Sequence, residues 1–267
     1  MMRDFTLGQY FPGNSILHRL DPRTKLLATV IYIVALFLAK WYISYGIMLA
    51  FLLLCIGLSR VAPGTILRSM KPLLFVILLT GILNMFYTTG DPLVSFWIFT
   101  ITKQGLQNAG FMVLRIAMLV VGTFLLTYTT SPMDLTDGME RLLRPLSKLR
   151  FPVHELSMMM SIALRFIPTL ATETDKIISA QKARGADFET GSLIRRAKAL
   201  IPILVPLFIG AFRRADELAT AMECRCYCGG AGRTKLRILR WEGRDLAAGL
   251  ALLLLLGAVI ALRCFGF

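Results

Sequence analysis

Three cysteines alternate near the end of a charged stretch: Cys224, Cys226 and Cys228. Three clustered thiols are a conceivable seat for a soft metal ion. Structural zinc sites, however, favour Cys-x-x-Cys pairs. The two histidines, His18 and His154, stand far apart and complete no ligand set. Small-residue packing is therefore the favoured role of the cluster, and no metal or other cofactor is expected. Cys55 and Cys264 lie in or beside apolar runs, and an odd total of five does not suit a disulfide framework. The acids are spread out and mostly sit near basic residues, and there is no glycine-rich phosphate loop of the Walker type. The chain is expected to catalyse nothing.

Arginines carry the stronger signal. Arg184 lies in Ala180-Gln181-Lys182-Ala183-Arg184-Gly185-Ala186, and Arg225 in Ala219-Thr220-Ala221-Met222-Glu223-Cys224-Arg225-Cys226-Tyr227. In each case one arginine sits among small residues near the charged end of a long amphipathic stretch. Small neighbours let another protein's backbone come close, and the guanidinium offers a planar fork of donors for carboxylates or carbonyls. A solvated cation also favours a helix C-terminus unaided. Two matching cases on one basic section tilt the balance towards docking. A third arginine, Arg115, stands inside an apolar run, where lipid exposure is costly. It is expected to face protein, paired with an interhelical carbonyl or with Asn84, rather than to line a substrate path. Met158-Met159-Met160, with Met133 and Met139, reads as core filling, with an adaptable partner surface as the alternative.

The elements that must position these residues are membrane helices. Of 267 residues 56% are hydrophobic and only 17% charged, well below the share in soluble domains. Apolar runs are expected at Leu26–Ala39, Ile43–Leu58, Pro72–Tyr87, Leu106–Tyr128 and Leu246–Leu262, with Val61–Lys71 as a short amphipathic connection and a small hairpin within Val94–Thr102. Ser131-Pro132 opens a different material. Apolar residues there return at helical spacing between charges, with Leu142, Leu143, Leu146 and Leu149 on one face. Phe151-Pro152 is expected to break that helix. Long helices are expected over Val153–Arg184 and Ser192–Tyr227, the second bent at Pro202 and Pro206, and Gly229 to Gly232 is a joint. Each is apolar at one end and charged at the other, which suits a crossed or V-shaped pair lying partly under the membrane. The predicted class is all-α and polytopic, with about five transmembrane helices. Its parts are a membrane domain over 1–130, a cytoplasmic domain of long amphipathic helices over 131–244 and a last span over 245–267.

A net charge of +14 raises nucleic acid as a partner. The charge lies between apolar spans rather than on a soluble fold, so a lipid bilayer is expected and nucleic acid is not. Lys and Arg number four up to Lys25 and three over Arg60–Lys71, against one each at Lys40 and Lys103 in the intervening loops. The positive-inside rule then places the N-terminus and the basic section on the cytoplasmic side. No signal peptide is visible at the start.

Leu17-His18-Arg19-Leu20-Asp21-Pro22-Arg23-Thr24-Lys25-Leu26, Ala183-Arg184-Gly185, and Ala221 to Tyr227 with Gly232-Arg233-Thr234 occur in that order. Together they resemble the EcfT family, the transmembrane coupling subunits of energy-coupling factor transporters, which includes CbiQ and BioN proteins. The resemblance covers nearly the whole chain. It implies a subunit of a vitamin or metal-ion importer, set between two cytoplasmic ATPases and a small substrate-binding membrane subunit. The ATPases would dock at Ala183, Arg184 and Gly185 and at Ala221, Glu223 and Arg225. Cysteines flank Arg225 where the family has small residues, which puts the freedom of a following glycine in question. A membrane-embedded transferase would need clustered acids or histidines, and a stand-alone carrier would need polar residues in several spans. Only Asn84 and Arg115 qualify for the latter.

Overall fold

The computed structural model describes residues 10–88, 92–96, 99–149, 152–188, 192–229, 239 and 241–265. Helices run over Pro22–Leu38 (α1), Tyr42–Ser59 (α2), Pro63–Tyr87 (α3), Lys103–Thr129 (α4), Pro132–Leu143 (α5), Val153–Ala183 (α6), Leu193–Glu223 (α7) and Gly243–Phe265 (α8). Among the described residues one antiparallel hairpin, β1 (Pro92–Phe96) with β2 (Phe99–Thr102), links α3 to α4 and pairs Val94 with Ile101. The protein is otherwise all-α. It divides into two compact units, one of Gly8–Gly138 with Leu239–Phe267, the other built on Met139–Ile238.

In the first unit four helices are long and apolar enough to cross a membrane: α2, α3, α4 and α8. Helix α1 has 17 residues, about 25 Å at 1.5 Å per residue, and needs its flanks to reach across a roughly 30 Å hydrocarbon core. Its face Tyr32, Ala35, Leu36 and Ala39 joins Met48 of α2, Met118 and Tyr128 of α4, and Val259 of α8 in one buried core. Glycines make two of the close approaches. A Cβ on Gly122 would lie 2.7 Å from the Tyr32 ring, and one on Gly81 2.8 Å from Val113, so α4 seats against α1 and α3 only because both are bare there. The outer faces are apolar instead of polar: Phe75 is 73% exposed and Leu254 69%. Such a surface is expected of a protein whose solvent is lipid. The protein is a multi-pass membrane protein.

Arg115 finds protein, as the lipid cost demands. Its Nε donates to the Tyr45 hydroxyl at 2.8 Å and its Nη2 to the Ala39 carbonyl at 3.2 Å, with the guanidinium over the rings of Phe37 and Tyr45. The partner is an interhelical carbonyl; Asn84 donates to Thr80 of its own helix.

Two boundaries differ from the sequence expectation. The stretch Val61–Lys71 is not a separate connection, because α3 starts at Pro63 and continues through Pro72. Pro63 occupies the first turn, where no N–H is missed, while Pro72 forfeits only its own bond to the preceding turn. The helix after Ser131 ends as α-helix at Leu143 rather than at Phe151-Pro152. It tightens into a 3-10 segment over Arg144–Leu149, in which Pro145 has no N–H to give and disfavours α geometry at Arg144. Leu142, Leu143 and Leu146 consequently do not form a buried face, and Leu146 is 40% exposed. Phe151 lies outside the described residues, as do Gly230 to Gly232 of the expected joint and Arg233-Thr234.

Candidate functional site

The second unit is organised around α6 and α7, both 31 residues long. They cross in antiparallel sense. Arg214 Nη2 pairs with Glu173 Oε2 at 2.7 Å, and Gly210 leaves room for the same carboxylate, since a Cβ there would sit 3.1 Å from Glu173 Oε1. Further along, Gln181 Nε2 donates to the Pro202 carbonyl at 3.4 Å. That carbonyl is free because its helical donor would be residue 206, a proline. Arg184 follows Glu173 by eleven residues and Arg225 follows Arg214 by eleven. The two arginines thus stand on opposite sides of the crossing, each about 16 Å along its helix.

The helix ends share one backbone geometry. At the first, Ala186 N–H donates to the Gln181 carbonyl at 3.0 Å and Gly185 N–H to Lys182 at 3.0 Å, with Gly185 at φ +86°. At the second, Tyr227 N–H donates to Met222 at 3.0 Å and Cys226 N–H to Glu223 at 2.8 Å, with Cys226 at φ +57°. Both are Schellman caps, in which a left-handed residue turns the chain so that two terminal carbonyls are satisfied. In each the arginine is the residue just before the left-handed one. Cys226 therefore performs the turn that glycine performs at Gly185, at the cost an L side chain incurs there.

Arg184 and Arg225 are exposed, and among the described residues no hydrogen bond or ion pair engages either guanidinium. Ala183, Gly185, Ala221 and Glu223 are exposed beside them. The crossing also leaves apolar side chains uncovered on α7: Leu204, Val205, Phe208, Ile209 and Phe212 are each at least 45% exposed. No group of three His, Cys, Asp or Glu among the described residues is placed to hold a metal ion. Cys224, Cys226 and Cys228 are free and exposed. His18 hydrogen-bonds Ser15 and the Phe11 carbonyl, whereas His154 lies 3.5 Å from Glu140, which also accepts from Ser157 at 2.6 Å.

The early segment has a role that sequence reading missed. Asp245, at the start of α8, accepts the Asp21 N–H at 2.8 Å; Arg23 donates to the Leu239 carbonyl at 2.9 Å and lies over Trp241; Lys25 Nζ donates to Thr129 at 2.8 Å and His18 at 3.1 Å. These contacts tie α1 to the end of α4 and the start of α8. Only the partners, far away in sequence, make the pattern intelligible.

A family model for CbiQ, described as cobalt transport protein, matches residues 13–236. The chain belongs to this family. It is similar to proteins called energy-coupling factor transporter transmembrane protein EcfT. The one from Clostridium kluyveri is 53% identical over 257 residues, which is 96% of this chain and 95% of the relative. The one from Acidaminococcus fermentans is 51% identical over 263 residues, 98% of each chain, and that from Bacillus subtilis 46% over 264 residues, 98% of this chain and all of the relative. The match to the CbiQ family spans both units, the paired caps as well as α1 to α4. The chain is accordingly a transmembrane component of an energy-coupling factor transporter.

Proposed function

We propose that this chain is the coupling scaffold of an importer for a vitamin or metal ion. It passes ATP-driven motion from two cytoplasmic ATPases to a small substrate-binding membrane subunit. The observation that carries this reading is the pair of identical caps, each presenting an unengaged guanidinium at the tip of a long helix. Two like tips suit two like partners. Docking involves Ala183, Arg184 and Gly185 at one end and Ala221, Glu223 and Arg225 at the other. The Glu173–Arg214 crossing holds the helices to one another, so displacement of either tip is passed along a stiff rod to the crossing. The uncovered face of α7 from Leu204 to Phe212 is apolar enough to meet the substrate-binding subunit. The chain itself hydrolyses nothing; the ATPases do.

Orientation follows from the charge counts of the short loops, with the N-terminus and α6 and α7 cytoplasmic. A membrane-impermeant maleimide added to intact cells should leave Cys224, Cys226 and Cys228 unlabelled, and rapid labelling from outside would reverse the topology. The decisive experiment for the scaffold reading is purification of the tagged chain from native membranes. Two ATP-binding ATPase subunits and a small membrane protein should accompany it in a fixed ratio. A chain that transports alone, or that arrives without ATPases, would instead be a secondary carrier.

A further inference from the structure

Helix α7 carries two prolines about one turn apart in its interior, Pro202 and Pro206. Each removes an N–H, so the carbonyls of Lys198 and Pro202 both lose their helical donors. A helix is softest where its ladder is interrupted. The softened turn is also where α7 is seated. Among the described residues of α7 only Ile203, between the prolines, is buried, at 6% exposure, while Ile201, Leu204 and Val205 around it are at least 45% exposed. Two contacts with α6 flank Pro206. Gln181 reaches the Pro202 carbonyl on one side, and Glu173 meets Gly210 and Arg214 on the other. Glu173 to Gln181 and Pro202 to Gly210 are both eight residues, about 12 Å along a helix, so the two contacts are in register.

The two contacts are unequal. The Arg214–Glu173 ion pair measures 2.7 Å, whereas the Gln181 bond measures 3.4 Å and is exposed. A bend at the prolines therefore opens the Gln181 contact first. Gln181 is also part of the first cap, since its carbonyl accepts the Arg184 N–H at 3.1 Å and the Ala186 N–H at 3.0 Å. One residue thus holds the Arg184 cap with its main chain and the joint of α7 with its side chain. We propose that α7 bends at its proline pair about Ile203, the arm over residues 193–201 swinging while the arm over residues 207–223 stays on α6. Gln181 is the positioning residue that latches this joint to the Arg184 cap. This rests on the reading of Arg184 as an ATPase dock, and it locates where motion at that dock is taken up.

The test is pulsed electron spin resonance on the purified transporter complex, without nucleotide and with a non-hydrolysable ATP analogue. Nitroxides on ketone-bearing residues introduced at Lys198 and Ala215, both exposed, span the joint and leave the cysteines untouched. The distance between them should differ in the two states. Pro206→Ala returns an N–H to the Pro202 carbonyl. It should hold the distance at one value and lower uptake per ATP hydrolysed about fivefold, the factor by which one added hydrogen bond biases an equilibrium. Pro202→Ala, acting through the Lys198 carbonyl, replaces it if the first variant does not assemble. Gln181→Leu removes the latch and should lower uptake per ATP about twofold, with the ATPases and the melting temperature retained. In the Pro206→Ala background the same change should do nothing more, because the carbonyl already has a donor. One distance in both states, or wild-type uptake per ATP in both proline variants, overturns the proposal. An equal loss from Gln181→Leu in the two backgrounds overturns the latch. A wild-type complex that holds no ATPases overturns the scaffold reading itself, and the proposal with it.

Discussion

The two units use the same residue type in opposite ways. In the membrane unit Arg23 and Arg115 are each held by backbone carbonyls from other parts of the chain, and Lys25 likewise. In the second unit Arg184 and Arg225 stand at helix tips, exposed and unengaged among the described residues. A cation that already has partners stabilises the fold, and one held out on a rigid cap is open to a partner, as the proposed docking requires. The apolar residues tell a parallel story. Those of the membrane unit are covered inside and bare on the outer faces of its helices, whereas those of α7 are bare over two turns of an otherwise charged helix.

The largest effect should come from changing both tips. Arg184→Ala with Arg225→Ala should abolish uptake and release the ATPases in a pull-down. Each charged fork is worth about 1.5–3 kcal/mol, and the two reinforce one another through one body. Each single change should weaken docking about ten- to hundredfold, and lysine should rescue poorly because it lacks the fork. Substrate binding by the membrane partner should be unchanged. Wild-type uptake in the double variant would sink the comparison.

Arg115→Met should do the converse. It strips hydrogen bonds from Tyr45 and Ala39 and should cost about 1–3 kcal/mol, read as a lower melting temperature in detergent. Whatever protein remains folded should bind ATPases normally. If uptake fell while melting stayed put, Arg115 would belong with the functional cations.

Between these lies the crossing. Glu173→Gln removes a partly buried ion pair worth about 0.5–1 kcal/mol and should lower uptake less than about fivefold with the ATPases retained. Dissociation of the complex would show the pair to be more than a pivot. Smallest of all, Cys226→Gly should relieve left-handed strain of about 1 kcal/mol and leave uptake intact, detectable as slower hydrogen exchange at the Tyr227 amide. A drop in uptake would mean that the cysteine side chain itself touches a partner.

Much of this was legible in the residues. Long apolar runs announced the helices, and Ser131 before Pro132 announced α5, whose cap bond from the Asp134 N–H to Ser131 Oγ measures 3.1 Å. The lipid cost of Arg115 announced its carbonyl partner. Less legible was anything that depends on distant contacts. Pro72 looks like a boundary in sequence, yet α3 runs through it, losing only the bond that a proline cannot give. The likeness of the two caps was half visible: the arginines aligned, but Cys226 in place of glycine obscured a turn that the two terminal bonds of α7 impose. The Glu173–Arg214 crossing had no local signature, because each residue is an ordinary charge on its own helix.

The bond between Asp21 and Asp245 joins residues 224 positions apart. At a ribosomal pace of about 5–20 residues per second, the first partner has been made roughly 10–45 seconds before the second. For that interval α1 is without its neighbour α8. The membrane unit thus acquires α8 only after α6 and α7 have been made.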